Sequence, residues 1–214
     1  MNLTLKESLV TRSRVFSPWT AFYFLQSLLI NLGLGYPFSL LYTAAFTAIL
    51  LLLWRTLPRV QKVLVGISSL VAACYFPFAQ AYGAPNFNTL LALHSTNMEE
   101  STEILTIFPW YSYLVGIFIF ALGVIAIRRK KESEKARWNT FDSLCLVFSV
   151  ATFFVAPVQN LAWGGVFKLK DTGYPVFRFA KDIIVNNNEV IEEQERMAKL
   201  SGMKDTWTVT AVKP

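Results

Sequence analysis

Five stretches of this chain are almost wholly apolar and long enough to cross a lipid bilayer, and no other feature constrains its fold as tightly. A helix rises about 1.5 Å per residue, so a hydrocarbon core roughly 30 Å thick needs about 20 residues, with about 17 as the lower limit. The stretches run from about 18 to 34, 37 to 54, 63 to 81, 108 to 127 and 141 to 161. Within them the single Asp, Glu, Lys, Arg or His is Asp142, at the very start of the fifth. Gly33 to Pro37 join the first two through a turn short enough to demand a tight hairpin. Only 16% of the chain is charged, against roughly 25% in soluble domains, which is too little to cover a water-facing surface. The expected fold class is therefore an all-α membrane protein with a five-helix transmembrane bundle over residues 1–161.

The net charge of +6 is sorted by position. The arm before the first span, the loop after the second and the loop after the fourth hold twelve of the twenty Lys and Arg residues, among them Arg55, Arg59, Lys62, Arg128 and Arg129. The loops after spans one and three hold none, and the remaining eight lie in the tail. Positive charge marks the cytoplasmic side, so the N-terminus is expected inside and the tail outside, as an odd number of spans requires. Trp19, Trp54 and Trp138 fall at expected inner ends, and Trp110 and Trp163 at outer ends, where indole rings settle among headgroups. The basic balance then reads as topology and anionic-lipid contact, with no nucleic-acid partner. No small-residue cleavage site follows the first span, which fits an uncleaved anchor. Cys74 and Cys145 fall at different depths, so they are expected to be buried thiols and not a disulfide.

Outside the spans, the stretch from about 86 to 106 has the pattern of an amphipathic helix lying on the outer leaflet. Asn88, Ala92, Thr96, Glu100 and Glu103 share one face by their spacing, and no Lys or Arg occurs in that loop. An acidic face at headgroup level can hold the ammonium of phosphatidylethanolamine, where a carboxylate attracts more strongly than in bulk water. The same spacing also suits a solvated face that only caps the bundle. His94, the one histidine, lacks the companion ligands a zinc site needs, and no metal site is expected. Gln26, Asn31 and Gln80 are expected to make hydrogen bonds between helices. The tail, 162–214, divides into a turn-rich connector and a helix from 176 to about 200. That helix carries Glu192–Arg196 and Glu195–Lys199 pairs and a possible break at Asn186, Asn187 and Asn188. An alternating segment from Thr206 to Val212 then resembles a strand entering a sheet. One strand cannot fold alone, so the chain is expected to be the membrane half of a longer protein.

Thr96, Asn97, Met98, Glu99, Glu100 and Ser101 resemble the loop motif of the bacterial phosphoethanolamine transferases. The spans, the tail helix and the run from Lys204 to Thr210 resemble the approach to that family's catalytic domain. The resemblance covers essentially the whole chain and leans towards the inner-membrane member assigned to osmoregulated periplasmic glucans. It implies a five-helix membrane domain followed by a periplasmic alkaline-phosphatase-like domain with zinc and a threonine nucleophile. There the threonine attacks phosphatidylethanolamine, diacylglycerol leaves, and the phosphoethanolamine passes to an acceptor glycan, a glucan or lipopolysaccharide. None of that machinery is legible in these residues, so this chain is expected to carry no catalytic residues and no cofactor of its own. The family's headgroup contacts map onto Thr96 and Glu100, with Asn97 in the motif. Where several members place an Asn, this chain has Ala92, and Asn88, one turn earlier, could stand in for it. The competing readings are a transporter subunit, disfavoured by the lack of ionisable residues within the spans, and a membrane scaffold without enzymatic activity.

Overall fold

The structure is a computed structural model and describes residues 18–95, 103, 106–129, 140–163, 165 and 172–202. Among these residues there are seven helices and no strand: α1 (Pro18–Gly33), α2 (Leu40–Thr56), α3 (Pro58–Tyr82), α4 (Phe87–Ser95), α5 (Trp110–Arg128), α6 (Thr140–Ala162) and α7 (Pro175–Gly202). Three of them, α3, α5 and α6, are long and apolar enough to cross a membrane. The helices at the first two apolar stretches, α1 and α2, have 16 and 17 residues, short of the about 20 a full crossing takes.

Burial is arranged as lipid demands. Val63, Ile67 and Leu70 on α3, Leu114, Ile117 and Phe118 on α5, and Leu144, Val147 and Val150 on α6 are all exposed. Inside lie Tyr23, Ile30, Phe46, Leu50, Val65, Ala72, Ile119 and Ala126, together with a large share of polar side chains. Several buried polar groups find partners on neighbouring helices, because hydrocarbon offers none, while Ser68 and Thr152 turn back to carbonyls of their own helices. Gln26 Nε2 donates to Ser69 Oγ at 3.0 Å, Asn31 Nδ2 to Thr43 Oγ1 at 3.0 Å, and Ser112 Oγ to Gln80 Oε1 at 2.7 Å, as expected of these amides. Thr47 Oγ1 donates to Ser27 Oγ at 3.2 Å and Gln61 Nε2 to the Tyr23 hydroxyl at 3.3 Å. Four of these five bonds involve α1, which is also in contact with α5, while α6 packs mainly on α2.

The most extensive helix pairing is α3 with α5. Pro77 lies inside α3 and has no N–H, so the carbonyl of Ala73, four residues back, lacks its usual helical donor. Gly116 of α5 sits against that carbonyl, close enough that a Cβ there would be 2.6 Å from Ala73 O. One heptad on, a Cβ at Gly123 would be 2.6 Å from Ser69 Cβ. Small residues let the two backbones approach, which is how helices associate where no water drives them together.

Several expectations are corrected at the end of the bundle rich in basic residues. α3 begins at Pro58, not near residue 63, because proline suits the first turn of a helix, where its missing N–H costs nothing. Only Leu57 separates α2 from α3, so Arg59 and Lys62 lie on a helix and not in a loop. The Arg129 guanidinium lies between the rings of Trp19 and Trp54, 4.1 and 4.4 Å from their centroids, so these indoles hold a cation. Arg55 forms an ion pair with Asp142, which ties α2 to α6. Cys145 is buried as expected, but Cys74 is exposed among the described residues.

The tail helix is also corrected: α7 runs unbroken through Asn186–Asn188. Asparagine is unfavourable inside a helix by about 0.5–0.7 kcal/mol relative to alanine, so packing must hold this segment. Arg196 turns to Glu193, at 3.6 Å, in place of Glu192. Of the expected loop helix, Phe87–Ser95 is helical. Residues 96–102 and 104–105 lie outside the described residues, as does the Thr206–Val212 segment.

Candidate headgroup platform

Two glycine turns build the end of the bundle opposite Arg129. Gly35 and Gly83 have φ of 80° and 72°, a left-handed conformation that side chains resist, and their backbones abut, so a Cβ at Gly35 would collide with the Gly83 carbonyl. Tyr75 donates its hydroxyl to Gly83 O at 2.9 Å, which fixes the second turn to α3. Beyond it, Asn86 caps α4, its Oδ1 accepting the Thr89 N–H at 3.0 Å.

On these turns lies α7. Its entry is held by Tyr174, which is buried, donates to Ser149 O at 2.8 Å and meets the Tyr42 ring edge-on at 5.8 Å. Gly173, just before it, packs flat against that Tyr42 ring. One turn into the helix, Phe179 meets Tyr75 edge-on at 4.9 Å. The Tyr36 hydroxyl donates to Asp182 Oδ2 at 2.8 Å, and Arg178 approaches the same carboxylate at 3.5 Å while lying 5.0 Å from the Tyr36 ring. Asn186 Nδ2 donates to Asp182 O at 2.6 Å and to Pro85 O at 3.5 Å.

Burial, and then the neighbouring Asp182 carboxylate, push the Tyr36 phenol well above its usual 10.0. Burial pushes Tyr174 up to about 12. Both groups hold their protons more tightly in the folded chain than unfolded. Stability is therefore complete below pH about 10 and falls above it, where only the unfolded phenols ionise. The seat of α7 is expected to loosen first. Tyr36→Phe should lower stability by about 1 kcal/mol at neutral pH and flatten the fall above pH 10, measured as the unfolding midpoint of both proteins across that range. An alkaline slope identical to the parent's would show that Tyr36 does not carry it.

Of the residues singled out in sequence, Asn88 and Ala92 lie one turn apart on the exposed side of α4. Thr96, Asn97 and Glu100 lie outside the described residues, so their meeting with Asn88 is not placed. His94 Nε2 lies 2.8 Å from Asn187 Oδ1 on α7. Among the described residues no three His, Cys, Asp or Glu side chains converge. The α7 contacts through Asp182, Asn186 and Asn187 were not legible in sequence. The one available signal was the asparagine run, which a helix would not tolerate without a use for it.

No family model and no solved structure matches the chain. Over all 214 residues it is 98% identical to the curated phosphoethanolamine transferase OpgE of Escherichia coli (strain K12), and it spans 41% of that protein's length. It matches the N-terminal part of that protein. The resemblance to the bacterial phosphoethanolamine transferases therefore holds along the entire chain, spans, loop and tail alike.

Proposed function

We propose that this chain is the membrane-embedded, lipid-docking part of a phosphoethanolamine transferase that moves phosphoethanolamine from phosphatidylethanolamine to a periplasmic glycan. The observation that carries the reading is the 98% identity to a transferase of which these residues make up 41%. The acceptor is then a glucan, in keeping with the leaning of the sequence resemblance. In this reading all five apolar stretches cross a bacterial inner membrane, with the N-terminus cytoplasmic. Residues 162–214 lead into a periplasmic catalytic domain, whose threonine and zinc do the chemistry. The described residues bring no ligand set together for a metal, so no metal step is assigned to them.

The role left to this chain is to present the lipid. Its exposed apolar flanks suit a bilayer, and in this reading the platform of turns, α4 and α7 meets the headgroups. Glu100 would accept hydrogen bonds from the ammonium, with Thr96, Asn97 and Asn88 supplying neutral polar contacts and Ala92 leaving room between them. A charged hydrogen bond is worth about 1.5–3 kcal/mol. Glu100→Ala in the full-length transferase should therefore lower kcat/KM for phosphatidylethanolamine roughly 10- to 150-fold, with Glu100→Gln intermediate. Transfer at the parent's rate and lipid affinity would remove Glu100 from the site.

A further inference from the structure

We infer that His94 and Asn187 form a clasp through which the tail helix α7 positions the headgroup loop, making both of them positioning residues for lipid binding. The inference rests on the headgroup reading above. α4 has nine residues and none of them is buried, and a helix that short does not persist in water by itself. Its principal contact is with α7. At its start, Asn186 Nδ2 reaches the carbonyl of Pro85, the residue before the Asn86 cap, at 3.5 Å. At its end, His94 meets Asn187 at 2.8 Å. Consecutive asparagines on α7 thus hold both ends of α4.

Thr96, the first residue of the loop motif, follows His94 by two positions. The Asn187 oxygen can only accept, so His94 Nε2 carries the proton and donates. This use accounts for asparagines in the middle of a long helix, where propensity argues against them. It also gives the one histidine a task that needs no metal. Any movement of α7 is carried to the residue from which the motif departs.

The test is steady-state transfer by the full-length transferase with phosphatidylethanolamine in mixed micelles, with unfolding midpoints measured alongside. His94→Ala and Asn187→Ala should each raise KM for the lipid about 3- to 10-fold while leaving kcat near the parent's, and the double variant should be no worse than either single. His94→Gln keeps a donor and should recover most of the loss. Asn187→Asp keeps the acceptor and should likewise recover most of the loss. A KM unmoved in both alanine variants, or effects that add in the double variant, would overturn the clasp, as would a fall in unfolding midpoint with KM unchanged. Glu100→Ala judges the headgroup reading separately. If it abolishes binding while the clasp variants bind normally, only the clasp falls.

Discussion

Replacing Gly116 by leucine is expected to separate α3 from α5 and to destabilise the protein by about 3 kcal/mol or more. The obstruction is backbone, because the Cβ would sit 2.6 Å from the Ala73 carbonyl oxygen. A side chain can turn aside, but this oxygen can retreat only if α3 shifts as a whole. Pro77 makes the contact more consequential, since it leaves the Ala73 carbonyl without its usual donor and the close face of α5 shields it from lipid. Even Gly116→Ala should be felt. Gly66 supplies the control, because a Cβ there meets only the flexible tip of Ile127 at 3.1 Å, and Gly66→Ala should behave like the parent. Denaturant unfolding in detergent micelles ranks the three variants. Gly116→Leu unfolding at the parent's midpoint would mean that α3 and α5 do not approach as closely as described.

Removing Arg55 is the second large effect. Asp142 has a side chain only 4% exposed, and its guanidinium partner is 20% exposed, at the end of the bundle. Taking away one member of a buried pair leaves a desolvated charge, at a typical cost of about 3–5 kcal/mol, while the intact pair adds far less than that. Arg55→Ala should therefore be strongly destabilising, whereas the double replacement Arg55→Met with Asp142→Leu should recover most of the loss. Because α6 packs mainly on α2, the single variant should also free the start of α6, which limited proteolysis near residue 140 would detect. A double variant as unstable as the single would show that packing around these side chains, and not their charges, holds α6.

Hydropathy alone marked the apolar helices, because burying apolar surface in lipid is a property of each segment by itself. It gave their ends less well, since the start of α3 depends on what proline does at a first helical position. Pairings were the hardest to read. Arg55 and Asp142 are 87 residues apart, and His94 and Asn187 are 93 apart. A charge count treats Arg55 and Arg129 as free cations facing lipid, yet the fold engages both with its own side chains. Likewise, hydropathy could class Cys74 as apolar, but not say that it is exposed among the described residues. The expected site residues Thr96 and Glu100 were visible as a pattern of residue types, and they lie outside the described residues.

Trp54 and Arg55 are consecutive residues at the end of α2. The first holds Arg129, where the chain leaves α5, and the second holds Asp142, where it enters α6. Arg129 and Asp142, on either side of residues 130 to 139, thus both hold on to the same end of α2. In closure entropy, each doubling of such a stretch adds only about 0.6 kcal/mol. An inserted tag or reporter domain between Arg129 and Thr140 should therefore be tolerated better than one anywhere between α1 and α3.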